Sequence, residues 1–259
     1  MHRKLCLEVF EGIDEEDLYP YTKEVGFDGF FTPPEVAHDL NRLRTMKSFA
    51  EGFGLFQETV HSTIRNCWTI WYEGEEGDRY TEVLLGNVEN CAALGVPILV
   101  VHPQSSRHPD PDISLGLSRF RKVVDRAKEL GVRIAFENTD SEELLDAVMN
   151  AFREEHVGFC YDSGHEFWLT PDADYLGRYG YRLFCLHLND NDGTGDKHWL
   201  PGDGDANFER IISRLKFFPF RGPVTLEVAY REPYTKRYTR YEFIRKCYEV
   251  AVNLAEKLG

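Results

Sequence analysis

The chain has 259 residues, 42% hydrophobic and 29% charged, with a formal net charge of −14. These are the proportions of an ordinary folded protein with room for one large core, and no apolar run reaches the roughly eighteen residues of a membrane helix. The acidity weighs against a nucleic acid as the main partner, because such binding usually needs a basic surface. The start of the chain, Met1 to Cys6, enters a strand at once without a signal-peptide core, which points to the cytoplasm. Leu5–Val9 is the first predicted strand, followed by an acidic, amphipathic helix over Asp14–Val25. Phe27–Phe31 is the second strand, and Pro33-Pro34 opens a helix running to about Phe53. Leu55–Val60 is the third strand, followed by a long loop over Arg65–Gly77. A helix over Asp78–Leu94 leads into the fourth strand, Pro97–Val101, and the apolar spacing of Ser114–Leu130 is helical. Val132–Glu137 is the fifth strand, and Ser141–Phe152 is a helix with a capping-box-like start.

Val157–Asp162, Leu183–Leu188 and Val224–Glu227 complete the strands, with helices near Asp172–Tyr179, Asn207–Leu215 and Thr239–Leu258. Gly26, Gly54, Gly95, Gly131, Gly158 and Gly222 sit where helices hand over to strands, the place for a left-handed helix stop. Eight strand-then-helix units in about 250 residues predict a single α/β domain, a (β/α)8 TIM barrel over residues 1–259. A doubly wound open sheet would call for a glycine-rich first turn, and Leu5–Glu11 contains no such turn. The cysteines form no Cys-x-x-Cys pair, and Cys6, Cys160 and Cys185 lie inside strands, as reduced, buried thiols would.

Four of these strands end in a side chain able to bind a metal: Glu137, Asp162, His187 and Glu227. A carboxylate or imidazole closing an apolar run replaces what would otherwise be packed core. Four in succession suggest one shared centre, a hard-to-borderline site for one Mn²⁺, Mg²⁺, Co²⁺ or Zn²⁺ ion. His61 and His102 close the third and fourth strands, His165 follows the sixth, and Asp196 and His198 follow the seventh. A single strand-end histidine is more often a packed one. So many carboxylates and imidazoles at one barrel end would repel and desolvate each other unless a cation neutralised them.

Glu137-Asn-Thr, Asp162-Ser-Gly-His165, His187-Leu-Asn-Asp and Asp196-Lys-His198-x-x-Pro-Gly-x-Gly resemble the xylose isomerase-like barrel superfamily. That superfamily holds sugar and sugar-phosphate isomerases and epimerases, and also the endonuclease IV class of abasic-site nucleases. The resemblance covers essentially the whole chain. In the first branch it implies one divalent ion on Glu137, Asp162, His187 and Glu227, with Glu137 and Glu227 as the catalytic acid/base pair. These would move a proton through a metal-stabilised enediolate of a sugar or sugar phosphate, with His165 on a substrate hydroxyl. In the second branch it implies up to three zinc ions, adding His61, His102, His165, Asp196 and His198 as ligands. The expected activity is the isomerase or epimerase; the alternative is a zinc-dependent abasic-site phosphodiesterase. The neutral-to-acidic stretch after the second strand, Thr32 to Asp39, offers no evident basic DNA-reading loop.

The four tryptophans, Trp68, Trp71, Trp168 and Trp199, fall in loops after strands in this reading, a set that suits a lid over the barrel mouth. Trp68, Trp168 and Trp199 are candidates for stacking on a sugar and shielding it from water, with loop packing as the bland reading. Lys197, Lys236 and Arg237, together with Arg240, are candidates for substrate or phosphate contact, since barrels often bind phosphate after strands seven and eight. Gly202-Asp203-Gly204 reads as a tight turn. Tyr238, Tyr241 and Phe243 are candidates either for a homo-oligomer contact or for core packing.

Overall fold

The strands carry large apolar side chains on one face and small or polar ones on the other, and that asymmetry decides how the sheet curls. A computed structural model describes residues 3–9, 11–105 and 107–259; Met1 and His2, which head the stretch read above for a signal peptide, lie outside the described residues. The strands are β1 Leu5–Val9, β2 Gly29–Thr32, β3 Phe56–His61, β4 Ile98–Val101, β5 Arg133–Glu137, β6 Val157–Asp162, β7 Leu183–His187 and β8 Val224–Val228. Every described pairing between these strands is parallel, in the order β7-β6-β5-β4-β3-β2-β1-β8. Just past β7, the Leu188 amide donates to the Thr225 carbonyl at 3.0 Å and the Glu227 amide to the Leu188 carbonyl at 3.2 Å, which joins β7 to β8. The sheet is therefore a closed (β/α)8 barrel.

Outward-facing Leu99, Val101, Ile134, Phe136, Phe159, Leu186 and Leu226 join the main core beneath the helices. Inward-facing Val100, Ala135, Cys160 and Cys185 form a separate, smaller cluster with Ile98. Eight strands leave an interior just wide enough for side chains, so this layer must be small. The six cysteines are buried free thiols. The helices are α1 Glu15–Val25, α2 Leu40–Gly52, α3 Glu75–Leu94, α4 Ile113–Leu130, α5 Glu142–Ala151, α6 Ser163–Leu169, α7 Tyr175–Tyr179, α8 Phe208–Leu215 and α9 Arg240–Leu258.

Several sequence expectations are corrected. The Pro33-Pro34 segment makes only a 3₁₀ turn, Pro34–Val36, and α2 starts afresh where Asp39 accepts from the Asn41 and Arg42 amides. The supposed loop Arg65–Gly77 holds a 3₁₀ helix, Cys67–Trp71, and the start of α3. Ser141 caps only the Leu144 amide, whereas a reciprocal capping box joins Thr239 and Glu242 at the start of α9. Gly158 and Gly222 are not left-handed stops; at Gly158 a Cβ would sit 2.6 Å from the Arg182 carbonyl oxygen, so close strand packing selects glycine. Phe243 is fully buried, which makes it core, and Tyr241 packs edge-on against Tyr21 and donates to Glu24. No helix among the described residues is long and apolar enough to cross a membrane.

Candidate metal centre

Because side chains alternate along a strand, the small inward layer continues upward as Glu137 above Ala135, Asp162 above Cys160, His187 above Cys185 and Glu227 above Thr225. His61 reaches the same interior through an irregularity. From Phe30 to Thr32 the chain advances two residues on β2, while facing β3 advances three, from Gln57 to Val60. The extra residue lets both Glu58 and His61 face inward, Glu58 onto Thr225 and His61 towards Glu137.

One ligand atom from each of Glu137, Asp162, His187 and Glu227 lies within 4.8 Å of the others, and all four residues are buried. His187 Nδ1 stands between the two glutamates, 3.2 Å from Glu137 Oε1 and 3.3 Å from Glu227 Oε1, with its ring stacked on Phe31 at 4.6 Å. His61 and His102 each bring Nε2 to 3.3 Å from Glu137 Oε2. His165 Nε2 and His198 Nε2 approach Asp196 Oδ2 at 3.4 and 3.0 Å. Glu137 is thus shared by two groups, His61–Glu137–His187 and His102–Glu137–His165, besides the four-residue one.

The tautomers explain why these contacts suit a cation. His61, His165 and His198 each direct Nδ1 at a backbone carbonyl, of Ser62, Asn138 and Glu227, at 3.0, 3.0 and 3.2 Å. A carbonyl can only accept, so Nδ1 carries the hydrogen and Nε2 of each ring is left facing a carboxylate. Lone pair against carboxylate repels unless a proton or a metal ion lies between. His102 Nε2, His187 Nε2, Glu137 Oε2, Glu227 Oε2 and Asp196 Oδ1 are buried without a hydrogen-bond partner among the described residues. Orphaned acceptors converging in this way fit divalent ions.

Protonation follows the same crowding. Burial opposes a charge on Glu137, but the surrounding imidazoles of His187, His102 and His165 hold its carboxyl well below the usual range. Burial, and then the charges of Glu137 and Asp162, push the Glu227 carboxyl well up, so Glu227 is the member of the pair that keeps a proton when no cation is bound. Burial lowers His102 to about 4, keeping it neutral. Burial also acts against a charge on His165, yet Asp162, Asp196 and Glu137 outweigh it and raise its pKa.

Residues outside the expected set hold the ligands in place. Asn138 clamps the Asp162 backbone, donating to its carbonyl and accepting from its amide, both at 2.8 Å. Asn189 Nδ2 donates to Asp162 Oδ2 at 2.8 Å, and Asp162 Oδ1 caps α6 through the His165 amide at 2.6 Å. Asp190 accepts from the amides of Asn191, Gly202, Gly204 and Ala206 at 2.8–3.1 Å. That ties down both ends of the loop carrying Asp196, Lys197 and His198, and it fills the Gly202–Gly204 turn with an internal carboxylate. His198 adopts a left-handed backbone, φ 47°, with its carbonyl accepting from the Ala229 amide. Asn138 and Asp190 were visible as neighbours of ligands in the motifs, but their partners are distant in sequence. Glu8 and Glu58 were missed because they lie within strands rather than at their ends; both are buried.

The substrate candidates are more scattered. Trp71 is fully buried, with Nε1 donating to the Pro103 carbonyl at 2.7 Å, which makes it core. Trp68 is half-buried and stacks on His108 at 3.8 Å. Trp168 is exposed on α6, and so is not in a loop, while Trp199 is half-buried against the main core. Lys197 is half-buried on the Asp196 loop. Lys236 and Arg237 are exposed, with Lys236 bonded to Glu232 at 2.7 Å, and Arg240 pairs with Asp14 and Asp17. The structure therefore brings the nine candidate ligands together, whereas these cations engage nearby carboxylates or solvent.

Comparison with known proteins agrees with the geometry. An uncharacterised protein of Sinorhizobium fredii is 29% identical over 194 residues, 69% of this chain and 61% of the relative. A probable endonuclease 4 of Trichlorobacter lovleyi is 26% identical over 163 residues, 52% of this chain and 58% of the relative. The chain thus spans less than two thirds of the length of these curated relatives. Among solved structures, the IolI protein with a bound zinc atom aligns with a TM-score of 0.79 at 21% identity, covering 99% of each chain. D-psicose 3-epimerase with D-tagatose, from Clostridium cellulolyticum, aligns with a TM-score of 0.76 at 13% identity, covering 99% of this chain and 98% of that one. At these identities the structural likeness is one of fold. The family model described as xylose isomerase-like TIM barrel matches residues 20–247, and the chain belongs to that family.

Proposed function

We propose that this protein is a divalent-metal-dependent isomerase or epimerase of a sugar or sugar phosphate. The observation that carries the reading is the pair Glu137 and Glu227 flanking His187, with environments that drive their proton affinities in opposite directions. Two carboxyls so separated suit removal of a proton from carbon by one and its return by the other. An ion held by Glu137, Asp162, His187 and Glu227 would supply Lewis acidity beside the substrate oxygens. Asn138 and Asn189 orient Asp162, and Phe31 fixes the plane of His187. His165 and Lys197 are the candidates for contact with substrate hydroxyls, and Trp68, Trp168 and Trp199 remain candidates for sugar stacking. Structural relatives crystallised with sugars, such as D-psicose 3-epimerase with D-tagatose, support a small-molecule sugar partner.

A second reading, a zinc-dependent abasic-site phosphodiesterase, is favoured by one observation. His61 and His102 adjoin Glu137, and Asp196 joins His165 to His198, so ligands for further ions stand ready. The net charge of −14 counts against a nucleic-acid substrate. The test is exchange of sugar C–H with deuterated solvent over a panel of ketoses and their phosphates. Exchange in the wild type, lost in Glu227→Gln, is the expected result. Failure of every sugar, with chelator-sensitive incision of an abasic duplex, would transfer the assignment to the second reading.

A further inference from the structure

The N-terminal mouth of the barrel, opposite the candidate metal centre, has an unusual composition. A cavity of about 430 Å³ opens there, lined by Lys4, Arg133 and Arg221 at its rim, by Phe56, Phe184 and Phe220 on its walls, and by Gln57 and Glu58 at its floor. The cations come from distant stretches of sequence: Lys4 precedes β1, Arg133 opens β5 and Arg221 precedes β8. Parallel strands bring their starts to one end, so the three share a mouth. All three are exposed, and among the described residues none forms an ion pair, although the chain carries a net −14. Lys4 lies over the Phe56 ring at 4.3 Å and Arg133 over Phe184 at 4.9 Å, which holds the charges at the rim without neutralising them. Arg3 shapes one wall by donating to the Phe220 and Gly222 carbonyls.

The floor points to a ligand independently of the rim. Glu58 is 5% exposed; its Oε2 accepts from Thr225 Oγ1 at 2.6 Å and the Cys6 thiol adjoins the same carboxyl, while Oε1 is buried with no well-aligned partner among the described residues. A buried acceptor is ordinarily satisfied, and Glu58 lines the cavity. The N-terminal end of such a barrel usually serves stability alone. Stability alone explains neither unpaired cations around the mouth nor an unsatisfied acceptor within it.

We propose that this mouth binds a small hydroxylated organic anion, a sugar-sized phosphate or carboxylate, with its charge on Lys4, Arg133 and Arg221 and a hydroxyl donated to Glu58. The site is separate from the metal centre and independent of the reaction assigned there.

Calorimetric titration of the metal-loaded protein with glycerol 3-phosphate, glycerate and inorganic phosphate tests this. Saturable binding is expected at millimolar concentration, tighter for either hydroxylated anion than for inorganic phosphate. The phosphate and carboxylate probes show which head group the rim prefers. The double variant Arg133→Gln/Arg221→Gln should weaken binding by about tenfold or more, because two charge-assisted contacts are lost. Glu227→Gln, at the other end of the barrel, should leave it unchanged. The proposal is overturned by absence of saturable binding, by undiminished binding in the double variant, or by binding lost only in Glu227→Gln. Both arginines are exposed, so the double variant should melt like the wild type; if it does not, Lys4→Gln alone serves, with weakened binding expected and unchanged binding overturning the proposal.

Discussion

The two ends of this barrel are made from the same strands but opposite materials. At the C-terminal end, carboxylates and imidazoles converge, with ring nitrogens facing carboxylates and several acceptors unpartnered. At the N-terminal end, cations spread over phenylalanine faces around one buried acid. Between them lies a thin apolar layer of Val100, Ala135, Cys160 and Cys185. The difference teaches that net charge says little about a site. A chain of −14 concentrates carboxylates where a cation fits and keeps unpaired positive charge at the far mouth.

The most severe way to break the contrast is Glu137→Gln. Glu137 approaches His61, His102, His165 and His187, so its loss should strip bound metal and lower the proposed proton exchange by about 10³-fold or more. Elemental analysis together with deuterium exchange reads both, and a fully metallated, active variant would refute the shared role of Glu137. The next test concerns the lower end. Burial raises Glu58 from 4.5 to about 7. Its contribution to stability is therefore complete below about pH 4.5 and is lost as pH rises through about 7, roughly 3 kcal/mol in all. Glu58→Gln should flatten this dependence, and thermal melts of both proteins across that range would show it; parallel curves would contradict the shift.

A smaller effect is expected of Asp190→Asn, which removes the negative charge held by four loop amides. On the second reading, metal retention at Asp196 and His198 should fall about tenfold while the four-ligand centre persists. Equal loss at both would mean that the loop is not a separate unit. Least of all, Lys236→Ala should leave melting temperature and metal content unchanged, since its partner Glu232 is as exposed as it is. A large drop in sugar-phosphate turnover would instead restore Lys236 as a substrate contact.

Much of the candidate site was legible because a titratable side chain closing an apolar strand leaves a mark in the sequence. Glu137, Asp162, His187 and Glu227 each close or nearly close such a run, and His102 and His61 do the same one and two strands earlier. Trp71 misled because a tryptophan after a strand looks like a lid, whereas a bond to the Pro103 carbonyl and close packing on Gly116 bury it. Glu58 escaped notice because it lies within β3, and only the register shift against β2 turns it inward with His61. Asp190 was quoted within a motif without a role, since its four partners are set by how a loop folds back.

By itself, then, the sequence determined the alternation of strands and helices, the closed parallel barrel and the candidate metal ligands at the strand ends, because each depends on local pattern and on spacing along one strand. Tertiary structure alone decided which ligands share Glu137, which histidine nitrogen is left to face a carboxylate, how Asp190 secures its loop, and that Lys4, Arg133 and Arg221 meet at one mouth. Those are relations between strands far apart in the chain, and they come into being only when the barrel closes.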